Sequence, residues 1–407
     1  SLPADFGFNP NYRETLQKYP SLFPSTPSEQ APDVIAYVDP KFKMPQVWRS
    51  NLNVDIQLPY DFMLSVGAMY TRDIYNVAQI NMNEAEPTGV YNEQPDRIYW
   101  ASKKYEYNDY TNGKNVVVKL SNGEDKGYQY SFNAILTKKY DFGFTGSIGY
   151  TYTMAKDLTA NPGSAPNSAW QNNVAVNSLN DPGVSYSLFS TPHRIIANAS
   201  YEINYAKCLK TTFSLFYSGY HTGRYSYTYY NDMNGDGNYS DLIYVPNSQD
   251  EMTFVDITDK SGAITYSAVD QAKDFWDFVN NDSYLKDRKG KYVERNGSLT
   301  PWINRFDFKI AQDFYATLGG RKYGIQVSLD MLNVGNMINS KWGAYQSCGL
   351  KSYDNVQLLK TASKVGEPLT YQINANSREA FKERSSWQYT NTIGSAWSMQ
   401  LGVKVTF

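Results

Sequence analysis

Apolar and polar residues alternate one for one over long stretches of this chain, and a period of two predicts β-strands. The pattern is cleanest at the C-terminal end. There Trp397, Met399, Leu401, Val403, Val405 and Phe407 interleave with Ser398, Gln400, Gly402, Lys404 and Thr406. Tyr323, Ile325, Val327, Leu329 and Met331 repeat it against Gly324, Gln326, Ser328 and Asp330, and Phe306, Phe308, Ile310 and Phe314 face away from Asp307, Lys309 and Asp313. Upstream, Ile195, Ala197, Ala199, Tyr201, Ile203 and Tyr205 alternate with Asn198, Ser200, Glu202 and Asn204. Phe213, Leu215 and Tyr217 read less cleanly, because Phe216 falls on the other face. Strands over Leu52 to Leu58, Phe62 to Tyr70, Tyr128 to Leu136 and Phe142 to Met154 bring the total to nine.

The connections between these strands alternate in length. Four are short: Pro59-Tyr60-Asp61, Lys138 to Asp141, Ala206 to Leu209, and the glycine turn at Gly319-Gly320. Long stretches at about 72–126, 156–192, 218–302 and 332–395 lie between them. Soluble domains seldom hold structureless loops beyond about 15 residues. Outer-membrane barrels pair short periplasmic turns with long extracellular loops, and closure leaves no backbone group unpaired in hydrocarbon. The pattern therefore predicts an all-β fold, a transmembrane antiparallel β-barrel. A soluble sandwich or solenoid also alternates. Here, however, Asn, Ser, Thr, Asp, Lys and Glu occupy the polar face along whole strands, as a wet lumen requires. Phe, Tyr, Trp and Met gather at strand ends, as interfacial girdles require.

On this reading the chain ends on the periplasmic side, and residues 1–45 form an extracellular segment leading into barrel strands within 46–407. Single-chain bacterial barrels have an even number of strands. Nine strands entered from outside do not meet that rule, so the sequence reads as the C-terminal portion of a larger barrel. The remainder of the barrel would then lie elsewhere.

Composition narrows the class further. The 407 residues carry a formal net charge of -2 and no basic cluster, which argues against a nucleic-acid partner. Mean hydropathy is -0.55, and no apolar run exceeds Val34 to Val38, so no helix of about 20 apolar residues is available to cross a bilayer. The 36 tyrosines fit strand ends at a membrane interface. Ser1 to Asp5 lacks the charged start and apolar stretch of a secretion signal.

Several motifs resemble those of one family. The terminal strand from Trp397 to Phe407, ending in an aromatic, resembles the membrane-insertion signal of outer-membrane barrels. Asp330-Met331-Leu332-Asn333-Val334-Gly335-Asn336 resembles the Asn-centred strand end of TonB-dependent transporters. A more specific set is similar to the Oar-like and SusC-like TonB-dependent transporters of the Bacteroidetes. It comprises Thr191-Pro192-His193-Arg194, Asn234-Gly235-Asp236-Gly237 leading to Asp241-Leu242-Ile243-Tyr244-Val245-Pro246, Gly290 to Gly297, and Pro301 to Asp307. The resemblance covers about residues 190–407. It implies a 22-stranded barrel with an N-terminal plug domain, TonB as the energising partner, and a surface lipoprotein as a further partner. The implied function is import of a large nutrient, a glycan or an oligopeptide. No plug and no TonB-contacting segment is legible in these residues. A structural barrel subunit of a surface complex and a passive pore are the competing readings.

Candidate chemistry is sparse. Asp232, Asn234, Asp236, Asn238 and Asp241 set oxygen side chains at alternate positions around a glycine turn, as a calcium loop does. The bidentate Glu of an EF-hand is missing, with Ile243 in its place, and Asn-Gly and Asp-Gly also favour plain polar turns. Ser267 to Leu285 reads as a loop helix with a capping box at Ser267 and Asp270, presenting Val269, Ala272, Trp276 and Val279 on one face. Trp100, Trp170, Trp342 and Trp387, with Tyr225, Tyr227, Tyr229 and Tyr230, are candidates for stacking on sugar rings. The tyrosine run also reads as a strand continuing above the membrane. Asp55, Glu202, Asp307, Lys309 and Lys404 are placed on the lumen wall without a specific binding role. His193 and His221 are structural, with no cysteine or carboxylate cluster to make a metal site. Cys208 and Cys348 fall on opposite sides of the membrane, too far apart for a disulfide. No nucleophile–base pair, phosphate loop or zinc spacing occurs, so no enzyme activity is expected.

Overall fold

The computed structural model describes residues 11–20, 34–107, 116–348, 351–352, 355–374, 381, 387–390 and 392–407. Nine long strands follow the nine alternating segments. They are β1 (Gln46–Leu58), β2 (Phe62–Tyr75), β3 (Tyr128–Lys139), β4 (Phe144–Asp157), β5 (His193–Tyr205), β6 (Leu209–His221), β7 (Trp302–Leu318), β8 (Arg321–Leu332) and β9 (Ser398–Thr406). Each pairs antiparallel with the next, so one sheet runs in chain order from β1 to β9.

Strand register explains why alternation was so legible. Ile56, Leu64, Leu136, Ile148, Ala197, Tyr217 and Phe306 are successive cross-strand partners and form one apolar row. Thr145, Ser200, Ser214, Lys309, Asp330 and Gln400 make a polar row on the other face. A one-residue slip in any pair would move every side chain to the wrong face. Phe216 is the exception anticipated, since it pairs with Asn198 and Asp307 on the polar face. The apolar face is open: Leu401 is 73% and Val403 is 67% exposed.

Tight turns join the strands at one end of the sheet. Gly319 and Gly320 take φ of 57° and 79°, the left-handed pair that a two-residue hairpin needs to match strand twist. The strands β2, β4 and β7, of 14, 14 and 17 residues, exceed the roughly 9–11 that a tilted strand needs to span hydrocarbon. The surplus of β2 and β4 carries the sheet past the other end, whereas residues 315–318 of β7 extend with β8 at the turn end. Among the described residues β1 pairs only with β2 and β9 only with β8, so the barrel is not closed.

The long connections are not structureless, as their length suggested. They fold together into a cap at the loop end of the sheet. Arg224–Tyr229 forms the centre of a cap sheet, antiparallel to Ser298–Leu299 and parallel to Asn355–Thr361, which in turn pairs with Tyr371–Ile373. Val34–Val38 runs parallel to Val116–Ser121, which pairs antiparallel with Ala78–Asn81. The segment before β1 therefore reaches the sheet through the cap; its residues 1–10 and 21–33 lie outside the described residues.

The largest hydrophobic core lies in this cap. Tyr227, Tyr229, Ile243, Phe275, Phe278, Leu285, Leu358 and Leu359 are buried together. The predicted loop helix is present as Ala268–Asn281, with Ser267 accepting the Asp270 N–H as its N-cap. Its buried face is Gln271, Phe275, Phe278 and Val279, whereas Val269 is 75% exposed. Of the expected face, Val279 is in the core and Ala272 and Trp276 pack against it, while Val269 alone turns outward and Phe275 and Phe278 add the largest buried surface.

Candidate functional site in the cap

The turn from Asp232 to Asp241 is built by its own side chains. Asp232 Oδ1 accepts the Gly235 N–H at 2.7 Å, and its Oδ2 accepts that of Gly237 at 2.9 Å. Asn234 Oδ1 accepts from Asp236 N–H at 3.0 Å, Asp236 Oδ1 from Asn238 N–H at 2.7 Å, and Asp241 Oδ2 from Met233 N–H at 3.1 Å. Gly235 and Gly237 have φ of 83° and 92°, and a Cβ at Gly235 would collide with the Trp100 carbonyl oxygen. Glycine is required there by both conformation and space.

All five predicted oxygen residues thus meet in one turn, with Asn234, Asp236, Asn238 and Asp241 buried. Burial drives the Asp236 carboxyl well above the usual carboxylate range, and the neighbouring Asp241 and Asp232 add to that rise. Burial pushes Asp241 up to about 7 against the opposing pull of Arg97. The amide nitrogens of Asn234 and Asn238 are buried without a hydrogen-bond partner. Among the described residues, no group of three or more His, Cys, Asp or Glu side chains could by itself hold a metal ion. Any cation in this turn would need amide and backbone oxygens as well as carboxylates.

Arg97 locks the turn into the cap. It is fully buried, and its guanidinium lies 3.4 Å from Asp241 Oδ1. It donates to Gln94 Oε1 at 3.2 Å and to the Val176 and Leu242 carbonyls, and it lies over the Tyr292 ring at 4.8 Å. Three separate loops meet at this one side chain. Arg295 plays the matching part at the sheet, donating to the Asp157 carbonyl at the end of β4 and to Asn173 and Gly183. Sequence reading missed both arginines as structural centres, because a lone arginine in a long loop has no local signal. Arg295 at least lay inside the Gly290 to Gly297 motif.

A cavity of about 600 Å³ opens beside the turn. Gln171, Asn172, Asn238, Tyr230, Tyr239 and Gln357 are among its walls, and none of the lining residues is charged. Carboxamides offer paired donors and acceptors, and Tyr230 and Tyr239 present aromatic surface that is 47% and 66% exposed. Such a lining suits a neutral, hydrogen-bonding solute rather than an anion or cation.

The aromatic candidates separate sharply. Trp100, Trp170, Tyr225, Tyr227 and Tyr229 are buried in the cap cores and are not available to stack on a solute. The tyrosine run is indeed a strand, but it is the centre of the cap sheet and not an extension of the wall. Trp387 is partly buried and packs against Tyr225 with centroids 5.2 Å apart, whereas Trp342 remains 51% exposed.

The remaining predicted residues are dispersed. Asp55 accepts from Ser65 Oγ, Asp307 pairs with Arg305 at 3.3 Å, and Lys309 pairs with Asp330 at 2.8 Å, so these three find their partners on the polar face itself. Glu202 lies 3.8 Å from Lys210, and Lys404 sits opposite Gln326. His193 Nδ1 meets Tyr150 Oη at 2.7 Å, and His221 Nδ1 meets the Thr300 carbonyl at 2.6 Å. Cys208 is exposed, Cys348 is buried, and they are not joined in a disulfide. Trp397 and Phe407 flank β9 and are 43% and 94% exposed.

A family model described as an outer membrane beta barrel domain matches residues 4–341. No curated protein and no solved structure matches the chain.

Proposed function

The chain belongs to the outer membrane β-barrel domain family, and from that premise we propose that it forms part of the wall and cap of a TonB-dependent transporter. That transporter imports a large nutrient, a glycan or an oligopeptide. Family membership alone places the chain in the outer membrane and points to a structural or transport role rather than catalysis. The open sheet carries the reading further. β1 and β9 both run from the loop end to the turn end, and neither edge is paired among the described residues. Unpaired backbone groups in hydrocarbon cost several kcal/mol each. An antiparallel closure between two edges of the same direction takes an odd number of further strands, which gives an even and wider barrel. A wide barrel suits a solute too large for a small pore. The uncharged cavity supports capture of a neutral solute at the loop end, which on this reading is extracellular.

Growth and uptake decide the matter. Deleting the gene should abolish uptake of one glycan or oligopeptide, and deleting TonB should do the same. Normal uptake without TonB would favour a passive pore. Normal growth on every nutrient, together with stable association with other envelope proteins, would favour a structural subunit.

Calcium in the Asp232–Asp241 turn belongs to the same proposal. Two buried carboxylates, Asp236 and Asp241, meet the half-buried Asp232 there, with Arg97 beside Asp241 and Lys104 near Asp232. Added Ca²⁺ should protect the cap of the intact protein from protease, a chelator should reverse this, and Asp236→Asn should remove the response. Protection unaffected by the chelator would leave the turn as a self-bonded scaffold.

A further inference from the structure

Asparagine is followed by glycine at Asn112, Asn122, Asn234 and Asn296, and Asn112 lies outside the described residues. Glycine has no Cβ to keep its backbone nitrogen away from the preceding side chain, so the two can close a five-membered succinimide. Closure depends on what holds the attacking N–H, the side-chain oxygen and the departing amide nitrogen. The three described pairs differ in this. Asn122 Nδ2 donates to the Lys43 and Asn76 carbonyls at 2.7 and 2.8 Å. Asn296 Nδ2 donates to the Tyr186 carbonyl at 2.9 Å, and the Gly297 N–H donates to the Glu294 carbonyl at 3.0 Å. In both pairs the departing nitrogen is anchored.

Asn234 is arranged the other way. Its side chain is fully buried, and its Nδ2 has no hydrogen-bond partner. The Gly235 N–H donates to a carboxylate, Asp232 Oδ1, at 2.7 Å. The Asn234 carbonyl accepts the Trp100 N–H at 2.7 Å, which draws electron density from the peptide nitrogen and makes the Gly235 N–H more acidic. Asn234 Oδ1 accepts the Asp236 N–H at 3.0 Å, the kind of donor that stabilises an oxyanion as nitrogen adds to Cγ. One turn therefore places a base on the nucleophile and a donor on the developing oxyanion, and leaves the departing group untied. A cavity of about 520 Å³, with Gly235 and Trp100 among its walls, brings water to the same place.

We propose that Asn234 is a self-modification site, deamidated by its own turn to aspartate or isoaspartate. The Gly235 nitrogen bonds to Asn234 Cγ while its proton passes to Asp232. The Cγ–Nδ2 bond then breaks, and Nδ2 leaves as ammonia with that proton. Water opens the succinimide at one of its two carbonyls. The aspartate product sets a carboxylate between Asp232 and Asp236, where a calcium loop favours one. That consequence rests on the calcium reading of the turn, whereas the deamidation does not.

The freshly prepared intact protein is incubated at neutral pH in water enriched in heavy oxygen, both folded in detergent micelles and unfolded in urea. Peptide masses after digestion in acid then give the rate at each Asn-Gly pair. Asn234 should react roughly tenfold faster in the folded protein than in urea, a modest share of what a positioned general base supplies. Asn122 and Asn296 should react more slowly folded than in urea. Asp232→Asn, with its cap shown by protease resistance to be folded, should bring Asn234 down to the rate in urea or below it. Asn234 no faster in the folded wild type than in urea would overturn the proposal, whatever the variant does, and make the turn a protecting one. An unchanged rate in folded Asp232→Asn would overturn the assignment of the base.

Discussion

Leu401 and Leu359 are the same residue type in opposite circumstances. Leu401, on the last wall strand, is 73% exposed, whereas Leu359 in the cap sheet is fully buried. The contrast runs through the whole molecule. The wall turns its apolar rows outward and pairs its charges with one another on the polar face. The cap follows the rule of soluble domains, with Tyr229, Ile243 and Leu358 inside and polar side chains bonding the loops. Each region is explicable by its solvent: hydrocarbon on one side of the wall, water around the cap. Tyrosine serves both, since its ring packs in the cap core and its hydroxyl finds partners, as Tyr227 finds Asp282 at 2.7 Å.

The sharpest way to break the contrast is to unfold the cap and leave the wall. Arg97→Ala removes the guanidinium that joins three loops and leaves Asp241 buried without its cation, at an expected cost of about 3–5 kcal/mol. Limited proteolysis should open the cap, while the strand signal of the sheet in circular dichroism persists. Loss of both together would show that cap and wall fold as one unit.

A second test acts on the wall alone. Leu401→Arg places a charge on the lipid face and should cost about 2–4 kcal/mol if it lies near the bilayer midplane. Gln400→Arg, one residue away on the polar face, should be tolerated. Refolding yield into vesicles measures both, and equal yields would mean that the two faces are not in different solvents.

The smallest expected effect concerns pH and the cap only. Burial raises the Glu84 carboxyl above its ordinary value, outweighing the hydrogen bonds from Ser178 and Asn180 at 2.6 and 2.8 Å. The folded protein then holds a proton that the unfolded chain has released. Cap stability should therefore fall as pH rises from the ordinary carboxylate range through the raised one, and level off above it. Glu84→Gln should flatten protease resistance measured from about pH 4 to about pH 8. A slope unchanged in the variant would assign the dependence to other groups.

Strand number and facing were legible in the residues because alternation is local: each side chain's face follows from its position in the pleat. Even the misfit of Phe216 could be read, as could the N-cap at Ser267. Strand ends were harder. β4 begins at Phe144 and continues to Asp157, past Met154, because its outer part is held by Tyr186 and Arg295, distant in sequence.

The cap was largely illegible. Its strands are short, its central pairing joins segments more than a hundred residues apart, and Arg97 announces nothing by its neighbours. The turn at Asp232 could be found from its spacing. The burial of its carboxylates, and the fact that their oxygens already hold backbone N–H groups, could not.

The sequence by itself determined the class of fold, the nine wall strands and which face of each meets lipid. These follow from a period of two and from the length of connections, both properties of neighbouring residues. Only the tertiary structure decided that the long connections pack together in a cap and that Trp100 and Tyr229 are buried within it. Those outcomes depend on contacts closed over long loops, where burial is set by the partner that arrives and not by the residue that waits.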